Sequence, residues 1–398
     1  MQHRPRPLRT RFWTPGTIIM LLFMAVGGVC IVARHLGGLA YATHLDDAHP
    51  WGLWIGVDVA SGVALAAGGF TTSFLAHILG RERYEPVLRS AILTAALGYT
   101  FVAIGVTLDI GRSWAIWKPM FFWNPHSALL EVAVCVMAYL TVLYIEFFPV
   151  VTERFGQRFR ILAWMNRLIG PFMWVFIILG VVLSCMHPSS LGTLMLIAPT
   201  KVHPLWYTPI LPLLFLLSAF AVGYPMVVFE TGLATKSLHL ESEMEILGPL
   251  SRFTVLVLGV YMVVKIGDMA VRGTYVYLLN GSMQSNSFLV KVVFGVVVPW
   301  FMLLSSRVRK SRGALFAAST LIVLGVLMNR INVFVVAYEA PYTKVHYFPS
   351  VSEIAVTAGL VAALMFLCRM AVTWLPVISA PFASPGPDMQ NPKATEVR

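Results

Sequence analysis

The sequence predicts an all-α, polytopic integral membrane protein with ten transmembrane helices. Three observations carry that expectation. Hydrophobic residues make up 58% of the 398-residue chain and charged residues only 12%, where soluble domains average about 25% charged. Ten apolar stretches are long enough to cross a bilayer, which takes about 20 residues each. Basic residues crowd into alternate connections between them. The first observation alone excludes an ordinary soluble enzyme, a disordered chain and a fibrous repeat.

The apolar stretches run over 15–40, 51–78, 86–110, 125–149, 160–185, 206–230, 250–272, 286–306, 313–337 and 351–376. Each reads as a helix, because lipid cannot satisfy the backbone of a loop or an open sheet edge. The first follows the basic segment 1–14, and Arg34 and His35 stand where a small-residue cleavage site would be needed. It therefore reads as an uncleaved span rather than a signal peptide. The second contains SGVALAAGG, a run of small residues suited to close helix packing. No span is plainly broken at its midpoint by Gly or Pro. The Pro-rich polar tail 381–398 reads as disordered.

Charge sets the expected orientation. Arg4, Arg6, Arg9 and Arg11 precede the first span. Arg81, Arg83 and Arg89, then Arg154, Arg158 and Arg160, then Arg307, Arg309, Lys310 and Arg312 mark every second connection after it. The positive-inside rule places these, and both termini, in the cytoplasm of a bacterial inner membrane. Loops 41–50, 111–124, 186–205, 273–285 and 338–350 then face the periplasm. The connection after span six is the exception, carrying Glu241, Glu243 and Glu245; acids weigh little in this rule. The net charge of +11 is accounted for in the same way, so no nucleic-acid partner is expected.

Ionisable groups inside a bilayer are costly and mark function by default. Asp58 lies seven residues into span two, about 10 Å deep, and Glu131 six residues past Pro125, about 9 Å deep. The two acids would share a level. Tyr99 falls about 16 Å down, near the midplane. His126 and His187 are placed at the outer ends of spans four and five. Asp109 and Arg112 are spaced to pair on one helix face. Glu146 and Glu230 sit at the cytoplasmic ends of spans four and six, so Glu131, Tyr99, Glu146 and Glu230 step across the membrane as a candidate proton route. Lys265, Asp268, Lys291, Arg330 and Glu353 read as pairing groups between later helices.

Cys30, Cys135, Cys185 and Cys368 all sit in apolar runs without a CxxC pair, and read as core thiols. No metal site is expected. A b-type haem needs histidines at matching levels on facing helices, and the spacing of the histidines offers no such pair, so no haem is expected either.

Five blocks carry a family resemblance: HPWGLWIGVDVASG (49–62), LGYTFVAIGVTLDIGR (97–112), NPHSALLEVAVC (124–135), HPSSLGTLML (187–196) and KVHPLWYTPILPLL (201–214). They resemble the NrfD, or polysulfide-reductase, membrane subunits, and most of all the ten-helix Hyb-type subunit of [NiFe]-hydrogenases. The resemblance implies two four-helix bundles, 51–185 and 206–337, with peripheral helices at 15–40 and 351–376. It implies a membrane quinone, menaquinone or ubiquinone, bound in the first bundle near the outer face. Electrons would arrive from an iron–sulfur, ferredoxin-like subunit docked on the periplasmic side, with hydrogenase small and large subunits beyond it. On that mapping Asp58, Tyr99, Glu131, His187 and Glu230 handle protons, and His126, His187, Asp58, Asp109 and Arg112 contact quinone.

The expected function is a quinone-reactive membrane anchor that passes electrons from the iron–sulfur partner to quinone with coupled proton transfer. Related subunits serve other redox complexes, including sulfite-reducing systems of the DsrP type. A secondary transporter and a purely structural anchor are the rivals from other classes.

Overall fold

The computed structural model describes residues 5, 7–8, 11–238, 240, 244–340, 342 and 346–378, the side chain of residue 82 apart. The tail 381–398 and the acids Glu241 and Glu243 therefore lie outside the described residues. The ten expected spans are present as helices: α1 (Pro15–Gly37), α2 (Trp54–Ile78), α3 (Glu85–Asp109), α4 (Ala128–Phe155), α5 (Arg160–Leu196), α6 (Leu211–Leu238), α7 (Met244–Val271), α8 (Met283–Leu304), α9 (Arg312–Val336) and α10 (Val351–Trp374). Among the described residues the only β-type pairing is an isolated bridge, Val202 with Tyr338. The end of the molecule carrying His126, His203 and Tyr347 is called the outer end below; Arg81 and Arg309 mark the basic end.

Helices α2 to α5 pack in a ring, α6 to α9 in a second ring, and α2 and α6 join the two. Helices α1 and α10 pair with each other and lie against α2 and α3. The α1–α10 crossing depends on glycine. A Cβ on Gly27 would stand 3.0 Å from the Cα of Gly359 and 3.0 Å from the carbonyl oxygen of Ala355. In lipid, such small-residue contacts supply the van der Waals packing that hydrophobicity cannot. The α8–α9 crossing is tighter still: a Cβ on Gly325 would lie 2.4 Å from the Cα of Gly295.

Local sequence sets the helix ends. Pro15 opens α1 behind an N-cap Thr14, whose backbone N–H donates to Thr17 Oγ1 at 2.8 Å, as a capping arrangement should. Ser350 opens α10 with a full capping box to Glu353. Gly38, at φ +88°, turns the chain after α1, a conformation glycine adopts at little cost.

Two expectations about the spans are corrected. Helix α2 is not a continuous α-helix: Trp54–Ser61 is wound as a π-helix and the chain flattens at Ala66, where ψ is −4°. Its residues are mostly buried, so the loosened backbone meets protein rather than lipid, where it is tolerated. Helix α5 does not end at residue 185. It begins with an exposed amphipathic stretch, Arg160–Ile169, turns through Gly170–Phe172, and then runs unbroken over Met173–Leu196. Pro188 lies inside that helix. It removes one backbone donor, a loss that neighbouring helices commonly compensate in membranes.

Candidate functional site

The longer α5 moves His187 from a helix end into the protein. It lies nine residues before Leu196, about 13 Å along the axis, and is completely buried. Its Nδ1 stands 3.2 Å from the hydroxyl of Tyr99 on α3. Tyr99 is also buried, and the Tyr139 ring of α4 meets it edge-on, with centroids 4.5 Å apart. Three helices of the first ring thus bring two tyrosines and a histidine together inside an apolar core. Nε2 of His187 is buried without a hydrogen-bond partner among the described residues, and the buried Tyr139 hydroxyl lies beside the Ser184 side chain. Unpartnered buried polar atoms are rare and call for an explanation.

One turn along α5 from His187, the hydroxyl of Ser190 donates to Glu131 Oε1 on α4. Ser190 is buried, while Glu131 is exposed. Glu131 lies in the first turn of α4, whose N-cap Ser127 accepts from Leu130 N at 3.3 Å. It is shallower than expected, because the helix starts at Ala128 and not at Pro125. A polar row therefore runs from the rim to the core: Glu131, Ser190, His187, Tyr99, Tyr139. Sequence reasoning missed Ser190 and Tyr139. Their signal was helical spacing, three residues after His187 and eight after Glu131.

Asp58 does not join this row. Its Oδ2 accepts a 2.7 Å hydrogen bond from Thr357 of α10, so its carboxylate faces α10 and not Glu131. Asp109 does not pair with Arg112. Helix α3 ends at Asp109, which carries Arg112 off its axis, and the cation near Asp109 is Arg34 of α1. Arg34 donates from Nε to the Leu108 carbonyl at 2.9 Å and from Nη2 to the Ile110 carbonyl at 2.5 Å. Close by, fully buried Glu353 accepts from Ser350 N at 2.8 Å and from the Tyr347 hydroxyl. Burial and that carboxylate together push the Tyr347 phenol well above its usual range. Asp58, Asp109, Arg34, Glu353 and Tyr347 form a second polar group, where the α1–α10 pair meets the outer ends of α2 and α3. His126 and Arg112 are exposed on the connection between α3 and α4 and touch neither group.

Toward the basic end, Glu146 of α4 packs against Gly180 of α5, and Glu230 of α6 interacts with Thr94 of α3. Thr94 lies five residues from Tyr99 on the same helix. Lys265 and Asp268 are not paired: Lys265 donates to the Leu205 carbonyl at 3.3 Å, while Asp268 binds Arg272 at 2.8 Å and Thr208 at 2.7 Å.

A family model described as polysulphide reductase, NrfD, matches residues 42–341. The chain belongs to the NrfD family. This NrfD-family chain is 36% identical over 375 residues to a protein of Nitratidesulfovibrio vulgaris whose name states no function, covering 92% of this chain and 95% of that one. It is 30% identical over 385 residues to the probable Ni/Fe-hydrogenase 2 b-type cytochrome subunit of Escherichia coli, covering 95% and 96%. It is 25% identical over 370 residues to the integral membrane subunit of menaquinone reductase from Nitratidesulfovibrio vulgaris, covering 87% of each. The matched segment takes in Asp58, Tyr99, Glu131, His187 and Glu230, and leaves out all of α1 and all of α10. The word cytochrome in one relative's name invites a test for haem. Of the histidines within the spans, His35 and His77 are exposed and His187 is buried, with one ring nitrogen turned to Tyr99. Of the three, only His187 lies in the buried polar row.

Proposed function

We propose that this chain is the quinone-reactive membrane subunit of a respiratory oxidoreductase complex of the hydrogenase type. The observation that carries the reading is the buried Tyr99–His187 pair, reached from the rim through Glu131 and Ser190. Reduction of a quinone takes two electrons and two protons, and it leaves a quinol. The electrons would come from an iron–sulfur, ferredoxin-like partner at the outer end, fed by hydrogenase small and large subunits. The protons need side chains within hydrogen-bond reach of the quinone oxygens. His187 Nε2 has unused hydrogen-bonding capacity, and a quinone carbonyl is an acceptor that suits such a site. Glu131 then exchanges protons at the rim. Glu146 and Glu230 offer a path toward the basic end.

The names of the two function-bearing relatives support the substrate class: one is a menaquinone reductase subunit and the other a hydrogenase subunit. Menaquinone or ubiquinone would serve as the substrate. The basic connections support cytoplasmic termini, and hence a bacterial inner membrane with the outer end in the periplasm. A second reading, the membrane subunit of a different quinone-linked redox complex, is favoured by the menaquinone reductase relative; only the soluble partners differ. The loosened stretch of α2 at Ala66 weakens the case against a transporter that rested on unbroken spans. Gly68, two residues further on, packs against Gly223 and Val227 of α6, however, whereas the unwound helices of transporters line a binding cavity.

The test is hydrogen-dependent quinone reduction in membranes carrying the assembled complex with Glu131→Gln. Glutamine keeps the size and hydrogen bonding but cannot ionise. Quinone reduction should collapse while hydrogen still reduces an artificial dye. Unchanged quinone reduction would remove Glu131 from the route.

A further inference from the structure

At the basic end, the second ring leaves a cavity of about 440 Å³ between the last turns of α6 and the first turns of α7 and α9. That is within the range of small-molecule pockets. Leu233, Lys236, Arg312 and Gly313 line it and are exposed, so it opens on the surface. Its inner wall is apolar, with Val228 and Leu247 buried. Phe316 of α9 closes one side. Its ring stacks on Phe229 of α6, with centroids 5.5 Å apart, and fits against Gly232, where a Cβ would stand 2.6 Å from the ring. A Cβ on Gly313, by contrast, would meet nothing within 4 Å. Gly232 lets Phe316 close on α6, and Gly313 leaves the mouth free.

Two cations stand at that mouth. Lys236 belongs to the last turn of α6, and Arg312 opens α9. The ion pairs found among the described residues use other groups. The neighbouring Arg309 is occupied differently, donating to the carbonyls of Leu303 and Leu304 at the end of α8. Among the described residues, no hydrogen bond engages the Lys236 ammonium or the Arg312 guanidinium. From Lys236 back to Val228 is eight residues, about 12 Å along α6. The cavity is therefore cationic where the helices end and apolar further in.

An occupant that matches both levels carries a negative charge and an apolar body. A free inorganic anion would pair with the cations but leave the apolar wall to water. A quinone would cover that wall but bring no charge to the mouth. Both α6 and α9 are long enough to span the bilayer, so their ends lie at the headgroup level of one leaflet. Basic pockets between spans are suited to anionic headgroups at that level.

We propose that α6, α7 and α9 form a binding site for one anionic phospholipid, its phosphate at Lys236 and Arg312 and an acyl chain running along Leu233 and Phe316 toward Val228. The site is independent of quinone chemistry. Its occupant ties α6 to α9 at the basic end of the second ring.

The test uses the full-length chain purified in a neutral detergent and titrated with dioleoyl phosphatidylglycerol or dioleoyl phosphatidylcholine. Native mass spectrometry counts the bound lipid, and thermal unfolding is followed in parallel. Phosphatidylglycerol should give one saturable bound lipid and a raised midpoint that phosphatidylcholine does not reproduce, as a ligand bound only to the folded state must. Lys236→Gln combined with Arg312→Gln should weaken that binding about thirtyfold, each surface cation being worth about fivefold toward an anionic headgroup. Gly313→Leu keeps both charges but fills the mouth, and should weaken it as well. Arg307→Gln combined with Lys310→Gln removes the same charge from the same end, outside the cavity, and should leave the affinity unchanged. All five positions are exposed, so these variants keep the fold. Equal binding of the two lipids, uptake that does not saturate, an unaltered affinity in Gly313→Leu, or an equal loss in the Arg307 and Lys310 variant overturns the site.

Discussion

The Tyr99 hydroxyl stands 3.2 Å from Nδ1 of His187, joining α3 to α5 across 88 positions of sequence. Both residues are buried, so this contact fixes the imidazole and leaves Nε2 as its one free nitrogen. Tyr99→Phe removes the hydroxyl and keeps the ring packed on Tyr139. The complex should assemble and reduce dye normally, while quinone reduction falls by about 10²-fold, the usual worth of one positioned acid–base group. His187→Asn should cost as much. The double variant should cost little more than either, because residues acting as a unit are not additive. Additive losses in steady-state quinone reduction would show that the pair does not work together.

Ser190 and Glu131 make a sharper comparison. Ser190→Ala deletes the donor that holds the Glu131 carboxylate, but leaves the carboxylate itself. It should lower quinone reduction only several-fold, with water able to replace the hydroxyl at the exposed rim. Glu131→Gln should cost ten times more than Ser190→Ala in the same assay. Equal losses would mean that Ser190, not the acid, is the essential group.

These two pairs show where the sequence was legible and where it was not. Span number and charge alternation are carried by composition along the chain, and all ten spans were found. Tyr99 stands mid-helix on α3, which ends at Asp109, one residue before the end read from the sequence. His187 was misplaced because His-Pro-Ser-Ser-Leu-Gly reads as a loop in water; inside a protein-lined membrane the helix continues through Pro188. Asp58 and Glu131 were read at similar depth, but depth does not give rotation. A turn of one residue, about 100°, decides between facing α10 and facing α5. Lys291 and Arg330 were visible as intramembrane cations. Their partners, the Tyr261 and Ser218 hydroxyls and the Phe215 carbonyl, were not, because pairing between helices is a property of the packed bundle.

The outer connection between α5 and α6 should respond to acid. Burial holds the His203 imidazole below its usual pKa, with the Glu339 carboxylate opposing only in part. The unfolded chain then binds a proton more readily than the folded one, so stability rises with pH. The contribution is fully present above about pH 6.5, the unperturbed value, and is lost as the pH falls below it. Thermal unfolding of the purified chain between pH 7.5 and pH 5.5 should show a lower midpoint at the acid end. His203→Gln should reduce the difference. The Asp46 carboxylate remains in that variant, so any slope it causes cancels in the comparison.

Arg34 is the tie between the α1–α10 pair and the first ring. Its guanidinium caps the last turn of α3 through the carbonyls of Leu108 and Ile110, the end of a helix where a cation is favoured. It also supplies the positive charge near Asp109, whose Oδ1 is buried and unbonded. Arg34→Met keeps the apolar stem but removes both effects. Unfolding of the purified chain should become easier by about 3 kcal/mol, the order expected for charged hydrogen bonds lost from a buried site. Much of that loss would come from leaving the Asp109 carboxylate without its cation. Asp109→Asn in the Arg34→Met background should therefore recover part of the stability, although alone it destabilises. A double-mutant cycle on these two positions measures that coupling directly. Simple additivity would assign the role of Arg34 to capping alone, and would detach Asp109 from the polar group that α1 and α10 build at the outer end.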